Sequence, residues 1–96
     1  MNAEKLKTKR YIKALPPLKA KQLFDEYGIP SPYKEVLYLV CVERCPSYYE
    51  VVRRLSSDYG INMSFWQVGY RLLEGLDKFD SAKKFSESKQ TTELIV

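Results

Sequence analysis

The sequence contains no histidine, and its only cysteines are Cys41 and Cys45. A structural zinc site needs four thiolate or imidazole ligands, so one copy of the chain cannot supply the usual set. Ser-His and Cys-His nucleophile pairs are also excluded. We therefore predict that the protein is not an enzyme and binds no metal or cofactor. The cysteines are interpreted as small buried residues of one helix, and the alternatives are a metal shared across a dimer or a redox pair.

Long apolar runs are missing as well. No stretch approaches the roughly 18 residues of a membrane-spanning helix, and the first lysines are not followed by the apolar core of a signal peptide. We expect a cytoplasmic protein without a membrane partner. The 96 residues are 45% hydrophobic and 14% aromatic, which predicts one folded domain.

Acidic residues are scarce at the N-terminus. Residues 1–22 carry seven cationic side chains against one carboxylate, for a net charge of +6, whereas residues 23–96 carry nine against eleven, for −2. We predict a basic arm over residues 1–14, followed by a single domain over residues 15–96. An arm of this kind can lie along phosphates, and the alternative is a solvated, frayed terminus. The candidate phosphate contacts in the arm are Lys7, Lys9, Arg10 and Lys13.

Four helices are predicted within the domain. Prolines and glycines mark the ends of the first, and Ser47 and Ser64 open the last two, each with Glu or Gln three residues later. The apolar run at residues 36–42 is typical of a buried strand or a buried helix, but its length and the residues before it favour a helix at the centre of the core. The predicted ranges are 16–27, 33–44, 47–59 and 64–79.

The segment after residue 79 is predicted to leave the helix. Asp80-Ser81 is interpreted as a turn, and the threonines and terminal Ile-Val favour a β-hairpin at about residues 82–96. A hairpin directly after a helix-turn-helix is a wing. The expected fold is therefore mainly α with a small β-hairpin: a winged helix-turn-helix, with a three-helix core plus a C-terminal wing, preceded by an extra N-terminal helix.

Residues 45–79 resemble the winged helix-turn-helix of PadR-type transcriptional regulators. The resemblance rests on the aromatic start of the segment at residues 48–55, on Ser64 near the opening of the next helix, and on the spacing of Tyr70, Leu73, Leu76 and Asp77. It implies a regulator that binds double-stranded DNA. Regulators of this type continue into a dimerisation helix, so a homodimer of this chain is expected to use its N-terminal helix or an exposed aromatic stripe instead.

Our first hypothesis is a small DNA-binding transcriptional regulator. The helix at 64–79 would enter a major groove, with Gln67 pairing with adenine and Arg71 with guanine or a phosphate, while the wing and arm hold phosphates. The predicted DNA-binding residues are Ser64, Gln67, Tyr70, Arg71, Arg53, Arg54, Lys83, Lys84 and Lys89.

The alternative hypothesis is a winged-helix protein interaction module that does not read DNA sequence. Trp66 and Tyr70 form an apolar stripe on the last helix, beside the stripe that is expected to face the core. They belong to residue types favoured at interfaces. They would either lie partly exposed and meet a second subunit, a protein partner or a nucleic acid, or pack beneath the N-terminal helix as core residues.

Overall fold

The computed structural model describes the backbone of residues 2–95 and the side chains of residues 2–88. Within these residues all regular structure is helical, and no strand occurs. The elements are α1 (Ala3–Ala14), α2 (Pro17–Glu26), α3 (Tyr33–Leu37), a π-helical turn that continues α3 (Tyr38–Val42), α4 (Tyr48–Tyr59) and α5 (Phe65–Ile95).

The residues predicted as a basic arm form helix α1, which belongs to the packed fold. Asn2 caps the helix by accepting a hydrogen bond from the Lys5 backbone N–H at 2.9 Å, which satisfies one of the free N–H groups of the first turn. Thr8 and Ile12 are buried. Helix α1 contacts both α5 and the π-helical turn. Its position is therefore fixed, and its charged residues project from an ordered helix.

A proline marks the start of helix α2 and a glycine follows its end. Pro17 occupies the first turn, where its missing N–H costs no hydrogen bond. Gly28 follows the helix with φ of +62°, in the left-handed region that glycine enters without strain. Leu23 and Phe24 are buried. These two neighbouring residues pack the short helix against the core.

The apolar run at residues 36–42 lies at the centre of the molecule, as predicted, and it is helical. Leu39, Val40 and Cys41 are all buried although they are consecutive, because α1, α2 and α4 each contact the π-helical turn and α5 contacts α3. The backbone leaves the π-helical turn at Arg44, which has a left-handed φ of 55°.

Helices α4 and α5 contact each other and are joined by the short connection at residues 60–64. The Ser47 hydroxyl accepts a hydrogen bond from the Glu50 backbone N–H at 3.2 Å, and Gly60 ends α4 with φ of +66°. On α5 the side chains that face the core are fully buried at helical spacing, and these are Val68, Leu72, Leu76 and Phe79.

The predicted wing is wrong, and so is the fold class that depended on it. Helix α5 continues through Asp80-Ser81 and through the described part of the hairpin segment, up to Ile95; Val96 lies outside the described residues. No glycine, proline or asparagine follows Gly75, so the segment lacks the residues that a tight hairpin turn requires. Ion pairs at i,i+4 spacing support the helix instead, between Lys83 and Glu87 and between Asp80 and Lys84.

The continuity of α5 can be tested at Ser81, an exposed residue of the helix interior. Proline there would remove a backbone hydrogen bond and clash with the preceding turn, so Ser81→Pro is expected to lower the free energy of unfolding by about 3 kcal/mol or more. Ser81→Ala is the matched control and should change it by less than about 0.5 kcal/mol. Urea unfolding followed by circular dichroism measures both. Equal stability of the two variants would instead indicate a turn at this position.

A second stability prediction compares two phenylalanines of the same helix. Phe79 is fully buried, whereas Phe85 is 72% exposed. Phe79→Ala should lower the free energy of unfolding by about 3–5 kcal/mol, because it removes buried apolar surface and leaves a cavity, and Phe85→Ala by less than about 0.5 kcal/mol. Similar destabilisation of the two variants would contradict the placement of Phe79 in the core.

Candidate interaction surfaces

The predicted base-reading residues at the start of α5 are engaged in capping the helix. The Ser64 hydroxyl accepts from the Gln67 backbone N–H at 3.2 Å, and the Gln67 side-chain oxygen accepts from the Ser64 backbone N–H at 2.9 Å. This reciprocal pair is a capping box. The cap uses neither the Gln67 NH₂ group nor the Ser64 O–H as a donor.

Arg71, the predicted guanine or phosphate contact, is held by its neighbours. Its Nη1 donates to Glu74 Oε1 at 2.7 Å, and its guanidinium lies 5.8 Å from the centre of the Tyr33 ring. The Tyr33 hydroxyl donates to the other oxygen of Glu74 at 3.1 Å. Lys78 lies 5.0 Å from the same ring centre. Contact with DNA would require Arg71 to exchange this network for a new one.

The other described cations predicted to bind DNA on α4 and α5 are also paired within the chain. Arg53 pairs with Glu50, Arg54 with Glu43 and Asp58, Lys83 with Glu87, and Lys84 with Asp80. The hydrogen bond from Arg53 lowers the pKa of the Glu50 carboxyl below its ordinary value, and the one from Arg54 does the same for the pKa of Asp58. The side chain of Lys89 lies outside the described residues.

A different set of cations has no carboxylate oxygen within 4.0 Å in the part of the chain that the structure describes. Six of the nine lie on α1 and α2, and they include all four residues predicted as arm contacts. The nine are Lys7, Lys9, Arg10, Lys13, Lys19, Lys21, Lys34, Arg44 and Lys78.

Five of these unpaired cations define what we call the α1 basic face: Lys7, Lys9, Arg10, Lys13 and Arg44. Thr8 and Ile12 point into the core, so the cations of α1 occupy the rest of its circumference. Arg44 joins them because its Nη2 donates to the Lys13 carbonyl oxygen at 3.2 Å. A cation at the C-terminal end of α1 also complements the helix dipole.

The second surface consists of aromatic side chains, and we call it the aromatic patch: Tyr49, Phe65, Trp66 and Tyr70. Three of them are strongly exposed, with 71% for Tyr49, 76% for Trp66 and 67% for Tyr70. The interpretation that Trp66 and Tyr70 are core residues beneath the N-terminal helix is therefore wrong. Sequence reasoning missed Tyr49 as an exposed surface residue, although it belongs to the aromatic start of the segment at residues 48–55.

Neither surface contains a group of metal ligands. In the described part of the chain no three cysteine, aspartate or glutamate side chains come together in a way that could hold an ion. Likewise, none of the helices there combines the length and apolar character needed to cross a bilayer.

Comparison with known proteins supplies no relative. No protein-family model, curated protein or solved structure matches the chain. The resemblance to PadR-type regulators accordingly stays a prediction about residues 45–79, without the wing that it implied.

The cysteines differ in burial, and this difference predicts their reactivity. Burial raises the pKa of the Cys41 thiol to about 11, and it also raises the pKa of the half-buried Cys45. Because the thiolate is the reactive form, Cys41 should react with Ellman's reagent at pH 8 only after unfolding. In Cys45→Ser, which retains Cys41 alone, native protein should release no chromophore and urea-unfolded protein one equivalent. Fast reaction of native Cys45→Ser would contradict the burial of Cys41.

Proposed function

We propose that the protein binds the phosphate backbone of duplex DNA through the α1 basic face, with little preference for base sequence. The observation that carries this proposal is the contrast in charge pairing. The described cations predicted to bind DNA on α4 and α5 are neutralised by carboxylates of the same chain, whereas those of the α1 basic face are not. Unpaired lysines and arginines release counterions from DNA on binding, which supplies affinity that does not depend on sequence.

The order of helix α1 supports this function. A frayed basic arm would lose conformational freedom on binding, but Lys9 and Lys13 already lie one helical turn apart on a helix anchored by Ile12. Arg44 extends the positive surface beyond the end of α1. The phosphate-binding side chains are thus arranged before DNA arrives, and binding costs less conformational entropy.

Sequence-specific reading through α5 is the second candidate, and Gln67 favours it. Its side-chain NH₂ group is exposed at the start of α5, at the position from which a helix-turn-helix contacts bases. Against it stand the ion pair of Arg71 and the carboxylates of Glu74 and Asp77, which lie along the same helix. A transcriptional regulator is therefore the less favoured form of a DNA-binding role.

The location of the DNA-binding surface is tested by two double variants that remove equal charge. Lys9→Gln/Lys13→Gln changes the α1 basic face, and Arg53→Gln/Arg71→Gln changes the predicted reading surface. Binding to a labelled duplex of about 20 base pairs is measured by fluorescence polarisation. At 0.1 M salt, affinity should fall roughly tenfold for each phosphate-binding cation that is removed. The first variant is expected to show this decrease and a shallower salt dependence, and the second less than about a threefold change.

Two outcomes would contradict the proposal. If the wild-type chain does not bind duplex DNA at low salt, the basic face has another role. If selection from random duplexes enriches one sequence and Gln67→Ala abolishes that enrichment, the protein reads bases through α5 and the regulator hypothesis replaces ours. Far-UV circular dichroism of each variant controls for loss of folding.

A further inference from the structure

We infer that the aromatic patch is a homodimer interface, at which the patches of two copies of this chain pack against each other. Trp66 is the only tryptophan of the sequence and the most exposed of the large apolar side chains that the structure describes. Large aromatic side chains bury more area at low conformational cost than other residue types, so they dominate the energetics of protein interfaces.

Ring contacts hold the patch in a defined shape. The Phe65 ring centre lies 4.6 Å from that of Tyr49 and 5.5 Å from that of Trp66, with the Phe65 and Trp66 rings nearly perpendicular. Phe65 also contacts Tyr48, with 5.5 Å between ring centres. Because Phe65 contacts Tyr49 of α4 and Trp66 of α5, these two exposed rings give up little freedom when a partner covers them.

The charges around the patch favour a second copy over an anionic or cationic partner. Arg53 is paired with Glu50, and Arg71 with Glu74, so these four border residues carry no net charge. Two identical neutral patches meet without like-charge repulsion, and a symmetric interface uses the same patch twice. A polyanion gains more at the α1 basic face, where the cations are unpaired.

The size of the patch suits a modest dimer. Three aromatic side chains of about 150–250 Å² each, of which about 70% is still exposed, can bury roughly 300–550 Å² when covered, which is about half of the roughly 800 Å² that each partner contributes to a standard interface. Flanking residues such as Met63 and Gln67 can supply much of the rest. The N-terminal helix offers less apolar surface for this purpose, because Ile12 is buried within the chain and its other large apolar side chains, Leu6 and Tyr11, are only 39% and 41% exposed.

The position of Trp66 makes its fluorescence a direct readout of this interface. On dilution over about 1 mM to 1 µM, a range that spans weak and transient association, the Trp66 emission maximum should move to longer wavelength. Sedimentation equilibrium should show the mass falling over the same range from twice the 11.3 kDa of the chain to that of one copy.

Two variants locate the interface. Tyr49→Ala/Tyr70→Ala retains Trp66 and should give a single-copy mass and a Trp66 emission that does not depend on concentration. Phe85→Ala removes an equally exposed aromatic ring of α5 outside the patch and should dimerise as the wild type does. Far-UV circular dichroism establishes that both variants are folded.

Three results would overturn the inference. One is a single-copy mass for the wild type at every concentration. Another is a dimer that persists in Tyr49→Ala/Tyr70→Ala but dissociates in Phe85→Ala. The third is a Trp66 emission that does not change with concentration but shifts when duplex DNA is added to the single-copy protein, which would make the patch a DNA-binding surface.

Discussion

The packing of Phe79 is the interaction on which the arrangement of the helices depends. Its ring centre lies 5.1 Å from that of Tyr27, 6.0 Å from that of Phe24 and 6.1 Å from that of Tyr11. These rings come from α1, from α2 and from the residue that follows α2. The Phe79 ring therefore joins the N-terminal third of the chain to α5, and among the described residues no other aromatic ring of α5 has a ring contact with that part of the chain. Without it, α1 would be held mainly by Ile12, its one fully buried apolar residue.

The docking of α1 also explains why α5 extends beyond the predicted turn. Lys5 pairs with Asp77 at 3.0 Å, and the Lys83 ammonium lies 4.9 Å from the centre of the Tyr11 ring. Together with the ring contact between Tyr11 and Phe79, these interactions pack α1 against α5 between Asp77 and Lys83. Tertiary packing thus acts together with the i,i+4 ion pairs of Asp80 and Lys83 to keep the predicted turn helical, although the residues that follow favour strand weakly.

Helix ends were predicted accurately, because each is set by one or two residues at that point of the chain. Proline at the start of α2, left-handed glycines after α2 and α4, and capping serines before α4 and α5 placed these helix ends within about one residue.

The predicted hairpin was wrong because the strand propensities of threonine, isoleucine and valine were given more weight than the missing turn residues and the i,i+4 ion pairs. The pairing of Arg53, Arg54 and Arg71 was missed, although each has a carboxylate three or four residues away on the same helix. Only the pair of Arg54 with Glu43, which joins two elements, cannot be read from helical spacing.

The two surfaces lie on different parts of the fold, and this separation lets both proposed roles operate together. Helix α1 contacts α5 at Asp77 and beyond, whereas the aromatic patch lies on α4 and the first turns of α5, up to Tyr70. A dimer through the patch would leave both basic faces open and would present two sets of phosphate-binding cations on one particle. Linked binding sites raise the local concentration of the second site once the first is occupied. Dimerisation could then strengthen DNA binding although it adds no cation to the chain.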